Sequence, residues 1–232
     1  MQATDEERAK REVGYRAVDT FVRPRTCIGL GTGSTARYAI ERVGELVGRG
    51  LSVRAVPTSR ETERLCAEVG VPLAALGDEP IDVAIDGADE VAADWSLIKG
   101  GGGALFREKA IALAAQRFVV IVTARKVVEK LGAFPVPVEV VPFSARYVER
   151  ELRALGASVA QRERDGKPFS TDNANVILDC AFGSIDEPAQ LDAVIRGFHG
   201  VVTSGIFVGL TSIVLVADAD GGVRELARPA FV

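Results

Sequence analysis

Thr26-Cys27-Ile28-Gly29-Leu30-Gly31-Thr32-Gly33-Ser34-Thr35 is the stretch on which the fold turns. Its first half is a short apolar run of the kind a buried strand needs. Its second half is a glycine-rich turn, and a helix is expected from there to about Val47. Strand, glycine turn and helix in succession open an α/β unit whose sheet is parallel.

Working outward, Thr4-Asp5-Glu6-Glu7 is a capping-box pattern that starts a helix running to about Val22, with Pro24 as its stop. Downstream come a strand over Leu51 to Val56, a helix from about Arg60 to Val69, and a strand from Ile81 to Ile85 that ends in Asp86-Gly87-Ala88-Asp89-Glu90. The loop Lys99-Gly100-Gly101-Gly102-Gly103 leads into a helix over Ala104 to Gln116, and Phe118 to Val122 is a continuous apolar strand. Strands that are apolar on both faces and alternate with helices belong to a parallel sheet covered on both sides.

Past Lys126 the rhythm changes. Phe134 to Pro142 is punctuated by proline. A helix over about Ala145 to Leu155, a polar strand or hairpin around Val159 to Arg164, a strand over Asn175 to Cys180 and a helix over about Pro188 to Arg196 then make a βαββα-like block. Ile213 to Ala217 and Val223 to Leu226 form a hairpin around Asp220-Gly221-Gly222 and are expected to rejoin the first sheet. The expected fold is therefore α/β: a Rossmann-like, mostly parallel sheet flanked by helices, with a smaller α+β (ferredoxin-like) domain inserted near the C-terminus. Residues 1–127 plus 205–232 form the catalytic α/β domain and 128–204 the smaller one.

Composition narrows the function. The net charge of -4 and the absence of a Lys/Arg run argue against a nucleic-acid partner. No apolar run approaches the roughly 20 residues of a membrane span, and Met1 to Glu12 is charged and polar, unlike a signal peptide. Cys27, Cys66 and Cys180 are far apart and form no CxxC, so they read as buried reduced thiols of a cytoplasmic protein. The one histidine, His199, lies in a loop-like stretch with no acid nearby in sequence, which leaves the chemistry to Asp, Glu and Lys.

Three loops follow expected parallel strands, and in open α/β sheets such loops converge on the ligand. In the first, glycines let the backbone approach an anion, a helix N-terminus offers N–H groups, and Ser34 and Thr35 add hydroxyls, so a phosphate fits. The stretch lacks the lysine and the glycine spacing of a nucleotide P-loop. Gly31-x-Gly33-x-x-Ala36 has the spacing of a dinucleotide fingerprint, but the second strand ends Val56-Pro57-Thr58-Ser59 with no acid to hold a ribose. The second loop crowds three acids, spaced unlike a DxD magnesium site and suited either to sugar hydroxyls with one acid moving protons or to a solvated turn. In the third, Lys99 and the glycine run can form an oxyanion nest, and Glu108, between Arg107 and Lys109 near a helix N-terminus, is kept ionised and able to accept a proton.

Taken together, GxGTGST (Gly29 to Thr35), DGADE (Asp86 to Glu90), KGGGGA (Lys99 to Ala104) leading into REK (Arg107 to Lys109), Leu131-Gly132-x-Phe134-Pro135-x-Pro137-Val138-Glu139-Val140 and Thr171-Asp172-Asn173-x-Asn175 resemble the type A ribose-5-phosphate isomerases. The resemblance implies interconversion of ribose 5-phosphate and ribulose 5-phosphate in the pentose phosphate pathway, no cofactor and no metal, and a homodimer or homotetramer. It implies that Glu108 is the base, that Asp86 and Asp89 hold the sugar hydroxyls within the Asp86-Gly87-Ala88-Asp89 loop, and that Asp86 assists ring opening or proton transfer between oxygens. It further implies that Lys99 with Gly100, Gly101 and Gly102 stabilises the enediolate oxygen, and that Thr32, Gly33, Ser34 and Thr35 bind the phosphate with Lys126 and Lys10. One departure stands out: where relatives often read DxSK, this chain reads Thr123-Ala124-Arg125-Lys126, keeping the lysine and losing the acid. The rivals are a non-catalytic sugar-phosphate sensor, a histidine-dependent amino-sugar-phosphate deaminase or lactonase, and a nicotinamide enzyme.

Overall fold

The computed structural model describes residues 5–218 and 221–227. In chain order the elements are α1 (Asp5–Phe21), β1 (Thr26–Leu30), α2 (Ala36–Val47), β2 (Val53–Pro57), α3 (Arg60–Glu68), β3 (Val83–Asp86), β4 (Glu90–Val91), β5 (Leu97–Ile98), α4 (Leu105–Ala114) and β6 (Phe118–Thr123). There follow β7 (Val136–Val140), α5 (Ala145–Ala154), β8 (Ser158–Gln161), β9 (Glu163–Arg164), β10 (Lys167–Pro168), β11 (Val176–Ala181), α6 (Pro188–Gly197), β12 (Val201–Ser204), β13 (Ile206–Phe207), β14 (Ile213–Ala217) and β15 (Val223–Glu225). Thr4 of the capping box and Asp220 of the C-terminal hairpin lie outside the described residues.

Contacts divide the chain into two compact units. The first holds the residues up to Ala88, Arg107–Val127 and the chain from Leu210 onward. Its sheet has the order β15-β14-β6-β3-β1-β2 and is parallel except for β15, which pairs antiparallel with β14. Strand β6, Phe-Val-Val-Ile-Val-Thr, is buried at all of its positions, as expected of a strand covered on both faces. Val13, Ala17 and Val18 of α1 and Ile40 and Val43 of α2 close over Ile28, Ile85 and Ile121 of the sheet. Burial of each such side chain contributes about 1.5–3 kcal/mol. Asp5, Glu6 and Glu7 fill the first turn of α1, where carboxylates favour the helix dipole, and the helix ends before Pro24. Ser59, in extended conformation, caps α3 by accepting from the Thr62 N–H at 3.0 Å.

The second unit holds Asp89–Phe106 and Val128–Gly209. Its main sheet, β12-β7-β11-β8, is antiparallel throughout. With β7, β8, β11 and β12 counted as strands one to four and α5 and α6 as the crossovers, this is the ferredoxin-like order 4-1-3-2. Val136, Val138, Val140, Val148, Leu178 and Ile195 build its core. Pro137 sits in a strand paired on both sides, and the position of its carbonyl explains how. In an extended strand one residue's N–H and C=O point the same way, and the Pro137 C=O accepts from the Gly205 N–H, just past the end of β12. The donor that proline lacks therefore falls beyond the partner strand.

These units differ from the expected division at one place. The sequence reading put residues 89–106 and 205–209 with the larger sheet, whereas their contacts group them with the smaller one. The cause is a three-stranded antiparallel ribbon, β13-β5-β4, reinforced by the Lys99 N–H donating to the Gly205 carbonyl at 2.9 Å. Its strands are only two residues long, too short to show a periodicity.

Candidate active site

In the first unit the chemistry gathers at the carboxyl ends of β1, β2 and β3. Gly31 is glycine by necessity: a Cβ there would lie 1.9 Å from Asp86 Oδ1. That close approach lets the Thr32 N–H donate to Asp86 Oδ1 at 3.2 Å, while the Gly87 N–H donates to the same oxygen at 2.7 Å. Asp86 is 3% exposed, and these backbone dipoles help to hold its carboxylate. Gly33 has φ +107° with open space around its Cβ position, so conformation rather than room selects glycine. Gly33 and Ser34 are exposed; Thr32 and Thr35 are half-buried.

The Thr32 hydroxyl is turned inward. It lies 2.7 Å from Thr58 Oγ1, 2.8 Å from Ser59 Oγ and 3.0 Å from Thr62 Oγ1, and the Thr62 hydroxyl donates to the Gly31 carbonyl at 2.8 Å. Four hydroxyls thus brace the turn, and Thr32 serves the turn through its side chain. Sequence reasoning missed Thr58, Ser59 and Thr62 as site residues, having read Thr58-Ser59 only as the absence of an acid. The available signal was a run of hydroxyls at a strand end beside a glycine turn. A hollow of about 290 Å³ lined by Glu7, Gly33, Ser34, Arg37, Tyr38 and Thr62 opens next to the turn.

Glu108, in the first turn of α4, is 5% exposed, which makes it a buried carboxylate and not the ordinary surface glutamate its local sequence allows. With Gly31, Thr58, Asp86 and Ile111 it borders one packed gap too small for a water molecule. The structure therefore brings Glu108, Asp86 and the glycine turn together. Lys10 lies on α1, where its ammonium pairs with Glu6 at 3.1 Å and Glu7 at 2.7 Å. Burial pulls its pKa down, but the hydrogen bonds to Glu7 and Glu6 outweigh that and leave it raised. Glu7 is held below the usual carboxylate range by Lys10 and by the Tyr38 hydroxyl, which donates to it at 2.7 Å. Lys126 is half-buried in a 3₁₀ turn at the end of β6. Thr123 stands at the N-cap of that turn and makes no capping bond through its side chain.

In the second unit Asp89 and the glycine run form one construction. The Gly101 N–H donates to Asp89 Oδ2 at 2.7 Å, and a Cβ on Gly101 would stand 2.6 Å from Asp89 Oδ1. Gly100 and Gly103 have φ of +103° and +89°, and the Gly103 N–H closes a turn onto the Gly100 carbonyl at 2.9 Å. Lys99 is 2% exposed, with its ammonium 5.7 Å from the centroid of the Phe207 ring, within cation–π reach. Gly101's amide is thus already engaged.

The three acids read as one crowded loop do three separate jobs. Asp86 holds Thr32 and Gly87, and Asp89 holds Gly101. Glu90, 4% exposed, accepts the Gly132 N–H at 2.7 Å and the Phe134 N–H at 2.6 Å, a structural role within the second unit. Among the described residues no group of three or more His, Cys, Asp and Glu is arranged to hold a metal ion, and no helix is long and apolar enough to cross a membrane.

The family model "Ribose 5-phosphate isomerase A (phosphoriboisomerase A)" matches residues 54–221. Ribose-5-phosphate isomerase A of Methanothermobacter thermautotrophicus is 46% identical over 215 residues, covering 91% of this chain and 95% of the relative. The enzyme of Parvibaculum lavamentivorans is 42% identical over 229 residues, covering 95% and 97%. Among solved structures, ribose 5-phosphate isomerase A of Methanocaldococcus jannaschii superposes with a TM-score of 0.89 at 41% identity over 94% of this chain and 97% of that one. A D-ribose-5-phosphate isomerase in complex with phospho-erythronic acid gives 0.92 at 38% identity over 96% and 99%. Fold and matches define the class, an α/β isomerase. The chain belongs to the ribose 5-phosphate isomerase A family.

Proposed function

We propose that this chain interconverts D-ribose 5-phosphate and D-ribulose 5-phosphate by moving a proton between C2 and C1 through an enediolate, with no cofactor. The observation that carries the reading is Glu108, a buried carboxylate packed near the buried Asp86 behind a glycine turn suited to phosphate. A proton beside a carbonyl is weakly acidic, so its removal needs a positioned base and donors for the oxygen that gains charge. Glu108 takes the C2 proton of the open-chain aldose and returns it to C1. Asp86, fixed by two backbone N–H groups, handles the proton exchanged between O1 and O2 and assists ring opening. Lys99 and the glycine amides beside it stabilise the enediolate oxygen, and Asp89 holds sugar hydroxyls. The turn Thr32 to Thr35 binds the phosphate through its backbone and Ser34, with Lys126 and Lys10 adding charge. The relative described in complex with phospho-erythronic acid supports a phosphorylated sugar as substrate.

A homodimer or homotetramer and a cytoplasmic location, with no nucleic-acid partner, belong to the same reading, and light scattering tests the assembly. The deciding experiment follows ribulose 5-phosphate formation after EDTA treatment and without nucleotide, in the natural chain and in Glu108→Gln. Turnover that survives EDTA and drops by about 10²–10⁴-fold in Glu108→Gln supports the assignment. Turnover lost with EDTA would overturn the cofactor-free reading, and near-normal turnover in Glu108→Gln would remove Glu108 from its role.

A further inference from the structure

The glycine run that carries Lys99 has a brace outside every motif discussed so far. Arg162 follows β8, and its side chain is 12% exposed. Nη1 donates to the Gly100 carbonyl at 2.7 Å and to the Gly101 carbonyl at 3.1 Å. Nε donates to Asp179 Oδ2 at 2.9 Å, and Nη2 donates to Asp179 Oδ1. One guanidinium therefore forks onto a strand carboxylate on one side and grips two consecutive loop carbonyls on the other.

Geometry gives the grip a consequence. Within a peptide unit the C=O of one residue and the N–H of the next point in opposite directions. Fixing the Gly100 and Gly101 carbonyls therefore fixes the directions of the Gly101 and Gly102 N–H groups. Consecutive glycines have the widest conformational freedom of any residues, so a run of them stays in one conformation only when something outside restrains it. On the N–H side the restraint is Asp89; on the carbonyl side it is Arg162, anchored in turn by Asp179 of β11. Lysine could not substitute, because a single ammonium lacks the planar fork that engages both sides at once.

We propose that Arg162, held by Asp179, is a positioning residue for the isomerisation: it orients the Gly102 amide, and through the Gly101 N–H it positions Asp89, toward the reacting sugar. The proposal rests on the reading of the Lys99 loop as the enediolate-stabilising element. Its effect belongs to the chemical step, since Arg162 grips the loop read as stabilising the enediolate oxygen.

The test measures kcat and KM for ribose 5-phosphate, together with thermal unfolding, in Arg162→Ala, Arg162→Lys, Asp179→Asn and Lys99→Met. A misplacement of about 1 Å costs on the order of 10²-fold in rate. Arg162→Ala is expected to lose about 10–100-fold in kcat with KM within about twofold, and added guanidinium should restore part of the loss. Arg162→Lys should fall between Arg162→Ala and the natural protein. If Arg162→Ala does not fold, the near-isosteric Asp179→Asn carries the test, with kcat lowered and KM unchanged. A folded Arg162→Ala or Asp179→Asn with kcat within about twofold of the natural protein, or a loss expressed in KM alone, would overturn the proposal. Lys99→Met separates the two levels: retained turnover there sinks the role of the loop itself, whereas turnover lost there but kept in the Arg162 variants sinks only the positioning role.

Discussion

Replacing Gly31 with alanine tests the link between the glycine turn and Asp86 more directly than any change to a reacting group. The added methyl would sit 1.9 Å from Asp86 Oδ1, 2.1 Å from Cγ and 2.6 Å from Cβ, so the whole carboxylate must move. That carboxylate accepts the Thr32 and Gly87 N–H groups, and hydrogen bonds to charged groups contribute about 1.5–3 kcal/mol each. Overpacking adds about 1–3 kcal/mol, and the stiffer unfolded chain returns about 0.4–1 kcal/mol. Allowing for partial re-formation of the bonds, a net destabilisation of about 3 kcal/mol is expected, or about 6–12 °C in Tm for a chain of this length. Gly48→Ala is the control. Its Cβ would meet nothing closer than 3.5 Å, and it is expected to leave Tm unchanged or slightly raised. Calorimetry and ribose 5-phosphate turnover are read on both variants. Gly31→Ala melting within about 2 °C of the natural protein with full turnover would refute both the steric argument and the dependence of the site on Asp86's position.

Lys126→Ala should raise KM for ribose 5-phosphate more than it lowers kcat, because phosphate binding persists through the reaction; steady-state kinetics with KM unchanged would contradict that role. Glu90→Ala removes the acceptor of two half-buried N–H donors, at most about 1–3 kcal/mol each, so it should lower Tm, and an unaltered melting curve would show that Gly132 and Phe134 find other partners. Burial pushes the Cys66 thiol up to about 11 and the Cys180 thiol up to about 12. A thiol raised above its unfolded value of 9.0 stabilises the fold fully below that pH, and its contribution is lost as pH climbs through the folded value. Urea unfolding should therefore show stability falling from about pH 9 upward, less steeply in the double variant Cys66→Ala/Cys180→Ala; equal slopes would reject the cause. Iodoacetamide at about pH 8 should leave both thiols unlabelled until the protein unfolds, as mass spectrometry would report.

Much of the architecture was legible because burial on both faces writes itself as unbroken apolar runs. Thr26 to Leu30 and Phe118 to Val122 announced strands β1 and β6, and the helices between them begin and end within two or three residues of their expected bounds. Strand β7 was harder: Pro135, Pro137 and Pro142 disguised it, since proline's lack of an N–H is tolerated there only because Gly205 follows the end of β12. The site divides the same way. Glycines whose Cβ would strike a neighbour left a mark in the sequence at Gly31, Gly101 and Gly103. The burial of Glu108, the hydroxyl brace under Thr32 and the separation of Asp86, Asp89 and Glu90 into three jobs depend on what surrounds each side chain, and local sequence carries no trace of that. The movement of residues 89–106 into the smaller unit rests on paired strands of two residues, below the length at which alternation can be seen.

The interleaving of the two units bears on how the chain is made. The polypeptide passes from one unit to the other after Ala88, Phe106, Val127 and Gly209, so neither is a continuous segment. During synthesis β6 emerges well before its partner β14, which begins at Ile213. Until then the apolar strand Phe118–Thr123 is an open edge, the kind of surface that pairs with other nascent chains or engages a chaperone. Completion of the sheet therefore waits for Ile213–Ala217, and a ribosome stalled before Ile213 would display an unfinished, aggregation-prone sheet rather than a folded half-enzyme.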